Sequence, residues 1–180
     1  MHNDMSHSSQ PVFDPNEVVN FSDSMIKEIN EVVKKFPEGK QKSALIRALH
    51  IAQAEYGWVS VPVMNKIAEI LAIQPIEVYE VATFYTMFHL QPVGKHVLEV
   101  CRTGPCMLVG SDQLIEHIKN KLNINVGETT SDGMFTLKTA ECLGGCGYAP
   151  LLQCRNKFHE HLSIEKVDAL IEQYRNGEIQ

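Results

Sequence analysis

Apolar residues recur at helical spacing before Gly94 and alternate beyond it, so the chain reads as a helical part followed by a mixed αβ part. Met25, Ile29, Val32, Val33 and Phe36 fall three or four apart behind the start cluster Ser22, Asp23, Ser24, and Pro37 to Gly39 ends the run. A second helix carries Leu45, Leu49, Ala52 and Tyr56 inward and stops at Gly57. Ser60 caps a third, with Val63, Ile67, Ile70 and Leu71 inward. Pro75 opens a fourth, with Val78, Val81, Ala82 and Tyr85 inward. Beyond Gly94, KHVLEVC (95–101) and FTLKTA (135–140) alternate like strands on either side of a helix marked by Leu114, Ile115, Ile118 and Leu122. Short strands follow at 151–155 and 157–162, then a helix from Ser163 to Tyr174 closed by Gly177. The expected fold class is α+β: a disordered arm over 1–20, a four-helix bundle over 21–93, and an αβ domain over 94–180 with a mixed sheet of four to five strands. Its first βαβ unit pairs two parallel strands, and the hairpin extends the sheet.

The 180 residues carry 16 Lys and Arg against 22 Asp and Glu, a net charge of −6 with no basic stripe. Duplex DNA and anionic lipid surfaces reward such a stripe, so nucleic acid is excluded as a main partner. The longest uncharged run, Val81 to Gly94, is too short to span a bilayer, and no direct membrane insertion is expected. The N-terminus has neither a secretory nor a transit pattern, so the reading places the chain in the cytoplasm of a bacterium.

Five cysteines stand out in such a compartment, where thiols stay reduced unless a metal or redox cycle occupies them. Cys101 and Cys106 form CRTGPC, Cys142 and Cys146 form CLGGC, and the stretch 107–141 separates the pairs. Cys101 ends the first expected strand and Cys142 comes just after the second. In parallel neighbours both loops leave the same sheet edge, where open αβ sheets collect ligands. Four thiols could then surround one metal centre. The spacing admits zinc as well as iron and sulfide. Gly144, Gly145 and Gly147, which let N–H groups approach sulfur, tilt the reading towards a 2Fe-2S cluster. A redox disulfide pair fits less well, because no CxxC occurs. Cys154 shares a strand face with Leu152 and reads as a small core hydrophobe.

The cysteine spacing, together with YGWVS (56–60), VATFYTMF (81–88), PVGKH (92–96), GETTSDGMFTL (127–137) and ECLGGCGYAP (141–150), resembles the E-type subunit of NADH:quinone oxidoreductase, respiratory complex I. The likeness runs over about residues 25–175, and departs from the family pattern at Cys154 to Asn156. It implies a thioredoxin-like 2Fe-2S domain behind an N-terminal helical bundle, with Cys101, Cys106, Cys142 and Cys146 as ligands of a single cluster. The implied partner is the flavoprotein subunit that holds FMN and binds NADH, within a membrane-associated complex that includes other peripheral-arm subunits. Diaphorase subunits of NAD-linked hydrogenases and formate dehydrogenases share the motif, so either parent complex remains open, as does a structural zinc module.

The chain lacks GxGxxG after a strand and GxxxxGK, so hydride chemistry belongs to another subunit and this one has no complete active site. The expected role is one-electron acceptor from the partner's FMN, with no catalytic side chain. Arg102, beside a cysteine, reads either as a charge stabilising the reduced cluster or as a surface arginine. His159 and His161 are expected on one solvent-facing strand face. Phe84, Tyr85 and Phe88 read as bundle packing or a dock for the partner.

Overall fold

The structure is a computed structural model and describes residues 18–179. Most of the expected arm, residues 1–17, lies outside them. The chain divides into two compact units, one ending at Pro92 and the other starting at Val93.

The first unit holds α1 (Asp23–Val33), α2 (Leu45–Tyr56), α3 (Val61–Leu71) and α4 (Pro75–Phe84), with a 3-10 turn at Gln41–Ala44 before α2. Each start is set by local chemistry. The Ser22 and Ser60 hydroxyls accept the N–H groups of Met25 and Val63 at 3.3 and 3.4 Å. Before α4 the Gln74 N–H donates to Glu77 at 2.9 Å, half of a capping box, and Pro75 occupies the first turn. Gly57, at φ 79°, ends α2 in the left-handed region that glycine enters without strain. Ile29, Leu49, Ile67, Leu71 and Val78 close one core, joined by Phe88.

Two details differ from the sequence reading. α1 ends at Val33, leaving Phe36 exposed beyond a turn in which the Lys35 and Phe36 N–H groups bond to Val32 and Val33. Tyr85 lies one residue past α4, at an extended ψ of 112°, and it and Phe84 are exposed rather than inward. Only Phe88 of that aromatic stretch packs into the core.

The second unit carries β1 (His96–Cys101), α5 (Gly104–Leu108), α6 (Ser111–Leu122), β2 (Phe135–Ala140), β3 (Leu152–Cys154), β4 (Lys157–His159) and α7 (Ile164–Arg175). The sheet order is β2-β1-β3-β4. β1 and β2 run parallel, Cys101 pairing with Ala140, while β3 and β4 add antiparallel. Side chains alternate across a sheet, so His96, Leu98 and Val100 share a face with Phe135, Leu137, Leu152 and Cys154. Except for His96, these belong to one core with Ile118 of α6 and Val167, Ile171 and Tyr174 of α7. The sheet has four strands among the described residues, the lower end of the expected four to five. No helix among the described residues is long and apolar enough to cross a membrane.

Candidate cluster site

β1 carries Cys101 to the sheet edge at which the parallel β2 ends, and Cys142 follows two residues after Ala140. Two backbone bonds fix this edge: Cys101 N–H donates to Leu151 at 3.1 Å, and Arg102 N–H to Ala140 at 3.0 Å. The chain then turns into α5, which places Cys106 back against Cys101. The two thiols lie near enough for the ionisation of each to act on the other. Both are buried, and with Leu151 they form a small apolar cluster flanked by Leu143 and Ala149.

The second pair sits in the loop between β2 and β3. Gly144 adopts φ 74°, and its N–H donates to Cys142 Sγ at 3.4 Å. A Cβ on Gly145 would meet Leu151 Cδ1 at 2.8 Å, so glycine lets this loop lie directly on the leucine that covers Cys101 and Cys106. Cys146 opens a short 3-10 turn and lies near enough to Cys106 for its charge to act there. Cys142 and Cys146 are both exposed, and all five cysteines are free thiols.

The electrostatics separate the buried pair. Burial opposes ionisation of Cys101, but the Thr103 hydroxyl and N–H and the Leu143 N–H aim at its sulfur and bring the thiol below its usual value. Cys106 moves the other way, to about 11, because burial and the neighbouring Cys101 thiolate both disfavour a second charge, against one N–H from Leu151. A metal that neutralises the pair removes that conflict. Among the described residues no three His, Cys, Asp or Glu side chains converge on a single ion-sized point. A 2Fe-2S centre spreads four thiolates over two irons, so this arrangement is compatible with it.

An open cleft of about 600 Å3 is lined by Lys121, Thr129, Asp132 and Arg175 among others, and no cysteine borders it. Its charges are mixed and single out no ligand class.

A model of the thioredoxin-like 2Fe-2S ferredoxin family matches residues 29–175. The chain belongs to this ferredoxin family. Its relatives include the NADH-quinone oxidoreductase E 2 subunit of Rhizobium meliloti (strain 1021), 43% identical over 155 residues, covering 86% of this chain and 91% of that protein. The NADH-quinone oxidoreductase E subunit of Rickettsia bellii (strain RML369-C) is 43% identical over 147 residues, 81% of this chain and 88% of that one. The mitochondrial NADH dehydrogenase (ubiquinone) flavoprotein 2 of Dictyostelium discoideum is 40% identical over 87% of this chain and 64% of its own. Among solved structures, an NAD+-reducing NiFe hydrogenase in the H2-reduced state shares the fold, with TM-score 0.64 and 22% identity. That match covers 73% of this chain and 22% of the hydrogenase chain.

The other sequence-singled residues fall elsewhere in this ferredoxin. Cys154 is buried on the core face, where its thiol meets Tyr174. His159 and His161 do not share a solvent-facing face. β4 ends at His159, whose ring turns to the core side and bonds Tyr174 Oη at 2.8 Å, whereas His161 takes φ 47° beyond the strand. Thr103 was missed by sequence reasoning, because its contact with Cys101 exists only once α5 has formed.

Proposed function

We propose that this chain is the electron-transfer subunit of an NADH:quinone oxidoreductase, in which Cys101, Cys106, Cys142 and Cys146 hold one 2Fe-2S cluster. The observation that carries the reading is the placement of Cys101, at the end of β1, and Cys106, in α5, at the sheet edge where β2 leads into the loop of Cys142 and Cys146, amid aimed N–H groups and a covering leucine. The family match and the E-type relatives support the same reading. When bound, the cluster supplies reversible one-electron storage. The chain's own residues then act by position: Cys101 and Cys106 anchor the buried side, Cys142 and Cys146 the exposed side, and Leu151 keeps water from the buried thiols.

In this reading FMN and NADH belong to a separate flavoprotein subunit, which delivers the electron. Other peripheral-arm subunits complete a membrane-associated complex on the cytoplasmic side of a bacterium. The helices of 21–93 and the cluster domain of 94–180 divide the work between scaffold and cofactor. Two exposed thiols and the exposed Leu108 and Tyr148 beside the cysteine loops fit a face covered by that partner.

Protein purified without oxygen is expected to be brown, to contain equimolar iron and acid-labile sulfide, and to give a paramagnetic signal on dithionite reduction. A colourless protein holding zinc overturns the reading in favour of a structural module. The fold shared with the NAD+-reducing hydrogenase supports the second reading, a diaphorase subunit of a hydrogenase or formate dehydrogenase. The neighbouring genes separate the parent complexes.

A further inference from the structure

Thr103 stands at the N-terminal cap of α5 in extended conformation, φ −86° and ψ 165°, where a threonine hydroxyl ordinarily accepts an N–H from the second or third helical residue. The second residue is Pro105, which has no N–H to offer, and the Thr103 side chain makes no capping bond. Its hydroxyl instead lies 3.4 Å from Cys101 Sγ. We propose that the Thr103 hydroxyl is a tuning group that donates a hydrogen bond to the Cys101 thiolate and raises the reduction potential of the cluster held there. This deepens the cluster assignment above and rests on it.

Direction of donation follows from the chemistry. A cysteine that ligates iron has lost its proton, so its sulfur can only accept, and the hydroxyl is the donor. Both ends of the bond are held by backbone. Cys101 is fixed by its N–H to Leu151, and the Thr103 carbonyl accepts the Met107 N–H at 3.0 Å as α5 begins. Cys101 is 2% exposed, so water competes little for the sulfur and the bond acts in a low-dielectric setting.

The remaining donors aimed at Cys101 are the N–H groups of Thr103 and Leu143, and Cys142 receives the Gly144 N–H. Such backbone donors survive a change of side chain. The Thr103 hydroxyl can be removed alone. Reduction adds one electron and therefore one negative charge to the cluster and its thiolates. A donor aimed at a thiolate stabilises the reduced state more than the oxidised one, and its loss lowers the potential. No bond is made or broken, and in the test dithionite supplies the electron.

The experiment is a potentiometric titration of the anaerobically purified full chain, following the paramagnetic signal in the parent, Thr103→Val and Thr103→Ser. Thr103→Val keeps the shape and removes the hydroxyl. Its midpoint is expected to fall by about tenfold in the reduction equilibrium, about 59 mV for one electron. Thr103→Ser is expected to titrate with the parent. Should the valine variant lose iron, Thr103→Ala provides the same comparison with less bulk. A hydroxyl-free variant that retains iron and sulfide yet titrates with the parent overturns the proposal, as does a serine variant shifted as far as valine. Iron and sulfide content of the parent is measured first. A parent without them overturns the ligand assignment, and the role of Thr103 with it, whereas a loaded parent with unshifted variants overturns only the latter.

Discussion

At the scale of single residues, the five cysteines divide by environment. Cys101 and Cys106 are buried together, Cys142 and Cys146 are exposed on a glycine loop, and Cys154 is buried among sheet and helix side chains with Tyr174. If the first four are the ligands, Cys142→Ser yields protein with little iron or sulfide. Cys154→Ser then keeps both and loses only packing. Iron and sulfide assays on the two variants check this, and the exchanged outcome removes the ligand assignment. The candidate pairs were legible because their spacing survives any fold, and the face of Cys154 because alternation needs only local sequence. Thr103 was not, since nothing local says that a hydroxyl two residues on will turn back to sulfur instead of capping its helix. The relation of His159 to His161 was also out of reach. It depends on where β4 stops, and the left-handed backbone at His161 breaks the alternation that would have paired them.

At the scale of elements, long periodic helices and the two parallel strands could be read directly, and short elements could not. α5 has five residues, GPCML, too few to display a helical period, and its opening Gly and Pro resemble a loop. The same shortness conceals the 3-10 turn at Gln41–Ala44. The entry to β1 is set by a feature that sequence only hints at. A Cβ on Gly94 would stand 2.9 Å from both the N and C atoms of Phe135 and 3.1 Å from the Gly133 oxygen, all of them backbone. The Gly94 N–H also donates to Thr136 Oγ1 at 2.7 Å. Neither strand can give way without disturbing the β1–β2 register, so Gly94→Ala is expected to cost about 1–3 kcal/mol, as overpacking does. Faster amide exchange across both strands would register it. Gly104→Ala serves as the control: nothing lies within 4 Å of its Cβ position and its φ is ordinary, so protection there should stay close to that of the parent.

At the scale of the whole molecule, each unit has its own core, and both place histidines where charge is unwelcome. Burial lowers His50 in the helical unit, with Arg47 adding repulsion. In the sheet unit burial also lowers His96 and His159, helped by Arg155 and Lys95 at the former and Lys157 at the latter. His96 is 1% exposed, its ring packs 4.7 Å from that of Tyr174 and 5.7 Å from that of Phe135, and neither ring nitrogen meets a protein partner among the described residues. A histidine lowered in the folded state takes up its proton more readily when unfolded. Its contribution is therefore complete above the unfolded value of about 6.5 and is lost as the pH falls from there through the folded value. Glu99, raised chiefly by burial and partly restored by Lys138, has the opposite sign: its contribution is present at low pH and is lost as the pH rises through its folded value. The histidine window opens downward from about 6.5 and the carboxylate window upward from about 4.5, so a pH profile of the parent alone mixes them. His96→Phe separates them, keeping an aromatic ring between Tyr174 and Phe135 while deleting one titrating group. Urea unfolding followed by far-ultraviolet circular dichroism at pH 7.5 and 5.5 is expected to show the parent weakening on acidification and the variant weakening less. Equal slopes would mean that the His96 ring finds a way to accept its proton without leaving the core.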